Sequence, residues 1–144
     1  MKDLSILDSL ITGRVEPHIY AFTTNTIPNY LKVGDTYRPV SKRLGEWKEY
    51  FPNLEKKFEG SAKITDDVYF RDFSVHSFLE TEKRRVRLEA SVLPKGVYYS
   101  KEFFREATVG DVEEAIADIN DDYKSKTGRY HYYDAKTQLP TTEK

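Results

Sequence analysis

The residues best suited by type and spacing to do chemistry are Asp72, His76 and Arg43, with a basic run at Lys83–Arg87. Asp72 and His76 stand four positions apart, which puts a carboxylate and an imidazole one turn apart on one helix face. A carboxylate there can hold Mg²⁺ or Mn²⁺, ions that often take only one or two protein carboxylates and fill the rest of the shell with water. His76 can hydrogen-bond Asp72 or reach a phosphate. The plainer reading is equally open: a solvent-facing helix carboxylate and a satisfied structural histidine. Arg43, in VSKRLGEW, can give two hydrogen bonds to a phosphate and stabilise its growing charge, or it can pair with a nearby glutamate. Lys83, Arg84, Arg85 and Arg87 (KRRVR) can clamp a DNA backbone or form a solvated edge.

These residues need elements to position them. Leu4, Leu7, Leu10 and Ile11 form the stripe of a short N-terminal helix over residues 3–11, with lead-in to residue 17. His18–Thr24 (HIYAFTT) is β-branched and aromatic and reads as a strand. Asn25–Asn29, with Pro28, reads as a turn, and Tyr30–Gly34 as the second strand of a hairpin. Pro39 suits the first turn of a helix with Val40, Leu44 and Trp47 on its apolar face. Leu54–Ile64 is a third strand with Gly60 as a candidate bulge. Asp66 or Asp67 can cap a helix running to Thr81, with Tyr69, Phe73, His76 and Leu79 or Glu80 along one side. Arg84–Leu88 reads as an edge segment, Pro94–Gly96 as a turn and Tyr98–Phe104 as extended or irregular. Thr108 caps a last helix to Tyr123, with Val112, Ala115, Ile116 and Ile119 facing the core. From Ser125 the chain is polar and is expected to be a loosely held tail or linker. The fold class is therefore α/β (α+β): a small antiparallel three-stranded sheet flanked by helices.

At 144 residues the chain fits one domain, and 38% hydrophobic residues suffice for one core. No cysteine is present, which excludes disulfides, thiolate zinc sites and a cysteine nucleophile. The net charge of −1 argues weakly against tight DNA binding by the domain alone, although its 23 basic residues can still segregate. The acidic stretch Asp111–Asp122 must point away from DNA. No apolar run approaches the ~20 residues of a membrane span, so the expectation is a soluble cytoplasmic protein.

The order of strand, turn, strand, helix with an early Arg, then helix with a carboxylate and a His resembles the GIY-YIG nuclease superfamily. The likeness is greatest to a branch found in phage proteins and as a domain appended to larger bacterial enzymes. His18–Ile19–Tyr20 stands where GIY would be, and Lys32–Val33–Gly34, followed by Asp35–Thr36, where YIG would be. Arg43 lies nine residues after Gly34; Asp72-x-x-x-His76 resembles the branch's Glu-x-x-x-His and Glu102–Phe103–Phe104 its Glu-Trp-Phe. The departures are His18 for Gly, Lys32 for Tyr (ordinary in the branch) and Asp72 for Glu. The likeness spans about residues 18–119, with the nuclease-like domain taken as 18–124.

The resemblance implies a metal-dependent DNA endonuclease. Phosphodiester hydrolysis needs a positioned water, a group to take its proton, and stabilisation of charge on the phosphate. Tyr20 would act on the water, Lys32 would supply a neighbouring cation or touch the phosphate, and Arg43 would bind the phosphate. Asp72 would hold one Mg²⁺ or Mn²⁺. Gly34 would allow close approach, Thr36 would cap or hydrogen-bond near the site, Arg38 would touch the DNA backbone, and His76 and Glu102 would support from behind. Tyr20 can equally be a core aromatic and Glu102 a strand anchor. A modest charge suits a domain of, or partner to, a larger DNA-processing, helicase-linked or restriction-type protein with its own target recognition. Two rivals remain: an inactive fold of this type that binds nucleic acid or protein, and a module gripping protein through surface tyrosines.

Overall fold

The computed structural model describes residues 13–96 and 100–141. The N-terminal helix expected over residues 3–11 lies outside them, as does the end of the tail. The architecture is α+β. Its centre is a four-stranded antiparallel sheet in the order β3-β1-β2-β5, made from β1 (His18–Thr24), β2 (Ile27–Thr36), β3 (Glu55–Ser61) and β5 (Phe103–Arg105). The helices are α1 (Val40–Trp47), α2 (Asp72–Thr81) and α3 (Val109–Ser125). A second, two-stranded sheet joins β4 (Val68–Tyr69) to β6 (Tyr133–Asp134). The sheet thus has one strand more than the three expected. The addition, β5, is three residues long, too short to stand out as an alternating pattern.

The sheet divides the interior into two cores because strand side chains alternate between faces. Ile19, Ala21, Leu31 and Val33 face Val75, Phe78 and Leu79 of α2 and Val112, Ala115 and Ile119 of α3. Tyr20 and Phe22 face Val40, Leu44 and Trp47 of α1, with Phe51 and Phe103 completing an aromatic cluster. Burying each such large side chain contributes roughly 1.5–3 kcal/mol. The result is three layers: α1, the sheet, then α2 with α3.

Several expectations shift in register. The hairpin turn is only Asn25–Thr26, and Pro28 sits inside β2. Pairing with β5 begins at Tyr30, so a residue without an N–H is tolerated at Pro28. The irregularity of β3 lies between Phe58 and Lys56, not at Gly60. Gly60 instead makes room for the Phe58 ring, whose Cζ would stand 2.9 Å from an added Cβ. The helix expected from Asp66 or Asp67 begins only at Asp72. Thr65 Oγ1 accepts from the Asp67 and Val68 N–H groups, turning the chain into β4 and taking Tyr69 off the helix. Phe73, expected along one side with His76 and Leu79, is exposed, while Val75 and Phe78 pack inward with those two.

The segment after α3 is not loose. Asp122 collects Thr127 and Tyr132 hydroxyls and two backbone N–H groups, Tyr130 bonds Asp118, and β6 pairs with β4. Three tyrosines (Tyr130, Tyr132 and Tyr133) sit in this polar stretch, and they give it the apolar contact that its charged neighbours lack. No described helix is long and apolar enough to cross a membrane.

Candidate functional site

The hairpin register places Tyr20 opposite Gly34 and Phe22 opposite Lys32, so all four point to the α1 face. Gly34 leaves a gap that Tyr20 and Lys32 fill. An added Cβ would lie 2.6 Å from both Lys32 Nζ and Tyr20 Oη. Lys32 Nζ donates to Tyr20 Oη at 3.1 Å and to Glu102 Oε1 at 2.6 Å. Trp47 Nε1 donates to the same Tyr20 oxygen at 2.7 Å, and the Tyr20 hydroxyl lies close enough to Arg43 to favour the guanidinium charge. The ammonium also lies 4.1 Å from the Trp47 ring centroid and 4.9 Å from that of Tyr20. Lys32 is fully buried. A buried ion pair is weak evidence for stability, since an apolar pair of similar volume is often as good, and so its presence here points to use.

β5 is short, so β2 has an open edge beyond Val33. The Val33 N–H still bonds Glu102 O at 2.9 Å, and its carbonyl accepts from His76 Nε2 at 2.8 Å. α2 is thereby tied to β2. Asp35 fixes its start: Oδ2 accepts from Arg71 Nε at 2.8 Å and from the Asp72 backbone N–H at 2.9 Å. Here Asp72, His76 and Glu102 converge, with one potential ligand atom from each within 4.8 Å of the others.

The electrostatics of this trio are unbalanced. Burial, then the charges of Asp35 and Glu102, push the Asp72 carboxyl up to about 8, against the pull of Lys32 and Arg71. Its hydrogen-bonding neighbour is another carboxyl, Glu102, and among the described residues no N–H or hydroxyl donates to it. Burial also opposes the charge of Glu102, but the Lys32 ammonium outweighs it and holds that carboxyl below its ordinary range. His76 is pushed down by burial and stays neutral. Since its Nε2 faces a carbonyl, which can only accept, the proton is on Nε2 and the lone pair on Nδ1. Two carboxyls and an imidazole lone pair, one carboxyl lacking any donor, fit a divalent cation.

Arg43 and Arg38 both grip Glu46, with Arg43 Nη1 at 2.8 Å and Arg38 Nη1 at 2.8 Å, and together they hold the Glu46 carboxyl down to about 2. The plain expectation of an arginine–glutamate pair is therefore present. Arg43 also lies against the Trp47 ring, 5.0 Å from its centroid, and near Tyr20, which a purely superficial pair would not do. Thr36 is turned inward and its Oγ1 accepts from the Arg38 N–H, shaping the turn into α1 rather than facing the cluster. Arg43 and Glu102 keep 34% and 35% of their side chains exposed, whereas Tyr20 and Lys32 beside them are buried.

Of the basic run, only Arg87 comes near this group: it donates to the Lys101 carbonyl, next to Glu102, and its charge acts on His76. Lys83 pairs with Glu114 at 2.7 Å, Arg85 with Asp111 at 2.9 Å and Arg87 with Glu80 at 2.8 Å. Arg84 is exposed in a left-handed turn. The cluster is in large part the counter-charge of acidic α3, whose Asp111 also completes a capping box with Thr108. Trp47, Asp35, Arg71 and Glu46 are site residues that sequence reasoning missed. Asp35, next to Gly34, carried the only local signal. The chain matches no family model, no curated protein and no solved structure.

Proposed function

We propose that the chain is a GIY-YIG-like, metal-dependent DNA endonuclease domain, acting within or beside a larger DNA-processing protein. The observation that carries this reading is convergence. Tyr20, Lys32, Arg43, Asp72 and Glu102 come from β1, β2, α1, α2 and the start of β5, yet form one connected cluster. A scissile phosphate between Arg43 and Lys32 meets two cations. A water beside Tyr20 Oη attacks phosphorus, and the P–O bond to the departing sugar oxygen breaks. The water's proton passes to the Tyr20 oxygen as the phenolic proton leaves to solvent, and the departing oxygen is protonated from solvent. Trp47 and Lys32 hold the phenol in line. A divalent ion held at Asp72 would stabilise charge on the phosphate and the departing oxygen. Gly34 permits the whole arrangement.

Nicking of supercoiled plasmid with Mn²⁺ or Mg²⁺ tests this. Tyr20→Phe and Arg43→Ala should each lower the rate by 10²-fold or more while the protein stays folded. Absence of metal-dependent nicking, together with salt-sensitive DNA binding, would favour an inactive binding module instead.

A further inference from the structure

We propose that the metal centre is a three-ligand site, His76 Nδ1 with one oxygen each of Asp72 and Glu102, and that it selects a transition-metal ion over Mg²⁺. It deepens the nuclease reading by naming the ion class at that site, but stands on the cluster's own geometry. One ring nitrogen of His76 and one oxygen each of Asp72 and Glu102 lie within 4.8 Å of one another. The Val33 carbonyl takes the proton-bearing Nε2 of His76, so the imidazole presents a lone pair at Nδ1. A backbone carbonyl orienting a ring in this way is the usual support behind a metal-bound histidine. Lys32 takes one Glu102 oxygen and leaves the second for the ion. Asp72 is buried and its carboxyl is hydrogen-bonded to that of Glu102, so the two acidic groups are held side by side.

The donor set decides the ion. Mg²⁺ favours an all-oxygen octahedron and keeps several waters. An imidazole nitrogen suits the later first-row ions, while Mn²⁺ accepts the mixed set. Two carboxylates and one imidazole thus favour Mn²⁺, Co²⁺ or Zn²⁺.

The test is metal binding by the full chain, read without any cleavage assay. Calorimetry should show Mn²⁺ bound at least ~10-fold more tightly than Mg²⁺. Pulsed electron paramagnetic resonance of the Mn²⁺-loaded wild type should show nitrogen-14 modulation from a directly bound imidazole. His76→Gln, and independently Glu102→Gln, should weaken Mn²⁺ by ~10-fold or more, with folding checked by circular dichroism. Absent nitrogen modulation, equal Mg²⁺ and Mn²⁺ affinities, or unchanged Mn²⁺ affinity in a folded His76→Gln protein would overturn the site. The wild-type resonance measurement decides the matter even where a variant does not fold. A nitrogen-ligated ion without plasmid nicking would support the centre and sink the nuclease reading. Nicking with equal use of Mg²⁺ and no nitrogen ligand would do the reverse.

Discussion

Two buried aspartates, on neighbouring helices, have opposite surroundings. Asp122, on α3, is fully buried and surrounded by donors: the Thr127 and Tyr132 hydroxyls and the backbone N–H groups of Arg129 and Tyr130. Burial works against its charge, but these donors prevail and its carboxyl is held below the ordinary range. Asp72, on α2, is almost as buried but faces Glu102 and Asp35. Donors hold one of these carboxyls in its charged form, while burial and neighbouring acids hold the other in its protonated form.

The sharpest way to break this contrast is to delete each carboxylate. Asp122→Ala orphans four donors and should cost ~3–5 kcal/mol, read by urea denaturation. Asp122→Asn, which keeps part of the network, should cost about 1–2 kcal/mol. Asp72→Asn should move the other way. Removing a desolvated acid should raise metal-free stability at pH 8 by roughly 1–3 kcal/mol and abolish the stabilisation given by Mn²⁺. A destabilised Asp72→Asn with an intact Mn²⁺ response would put Asp72 in the same class as Asp122.

The pH dependence should differ in sign. The folded Asp72 carboxyl holds its proton up to about 8, against an ordinary value of 3.8, so the folded state binds more protons than the unfolded state between these limits. Its contribution to metal-free stability therefore declines as pH rises from about 4 to about 8, and thermal melts of wild type against Asp72→Asn should show that slope only in the wild type. Asp122 is depressed in the folded state. Its contribution is full above the unfolded value and is lost as pH falls below it, so Asp122→Asn should flatten the acid limb. Gly34→Ala should follow in size. Its Cβ meets the Lys32 ammonium and the Tyr20 oxygen, and the loss expected is ~1–3 kcal/mol, together with the Tyr20–Lys32 contact and nicking.

These two carboxylates also mark how far the sequence could be read. β1 was found to its ends because HIYAFTT is β-branched and aromatic, and α3 because Thr108 precedes a clean helical stripe. Asp72 and His76 were legible as a pair because four residues make one helical turn. Nothing local marked Asp35 as the partner of the α2 N-terminus, 37 residues away, or Trp47 as a donor to Tyr20 across the sheet–helix interface. Asp122 read as one acid among many on an acidic helix, because its donors come from beyond the helix end. Contacts set by tertiary packing leave no periodic trace, and β5 was too short to leave one of its own.

The basic run gives the smallest effects and tests the contrast from outside. Lys83, Arg85 and Arg87 face Glu114, Asp111 and Glu80, so these cations are half-neutralised before any DNA arrives. Arg85 bonds a buried carboxylate that also caps α3, and Arg85→Ala should cost about 1 kcal/mol in denaturation with little change in DNA affinity. Arg84, exposed, should change stability by less than ~0.5 kcal/mol when replaced by Ala. If the run instead clamps DNA, both substitutions should weaken binding in parallel and lower the salt dependence by about one ion each. Fluorescence anisotropy with a short duplex across a salt series separates the outcomes. A stability loss confined to Arg85→Ala, with DNA affinity unchanged in both variants, would assign these cations to the acidic helix.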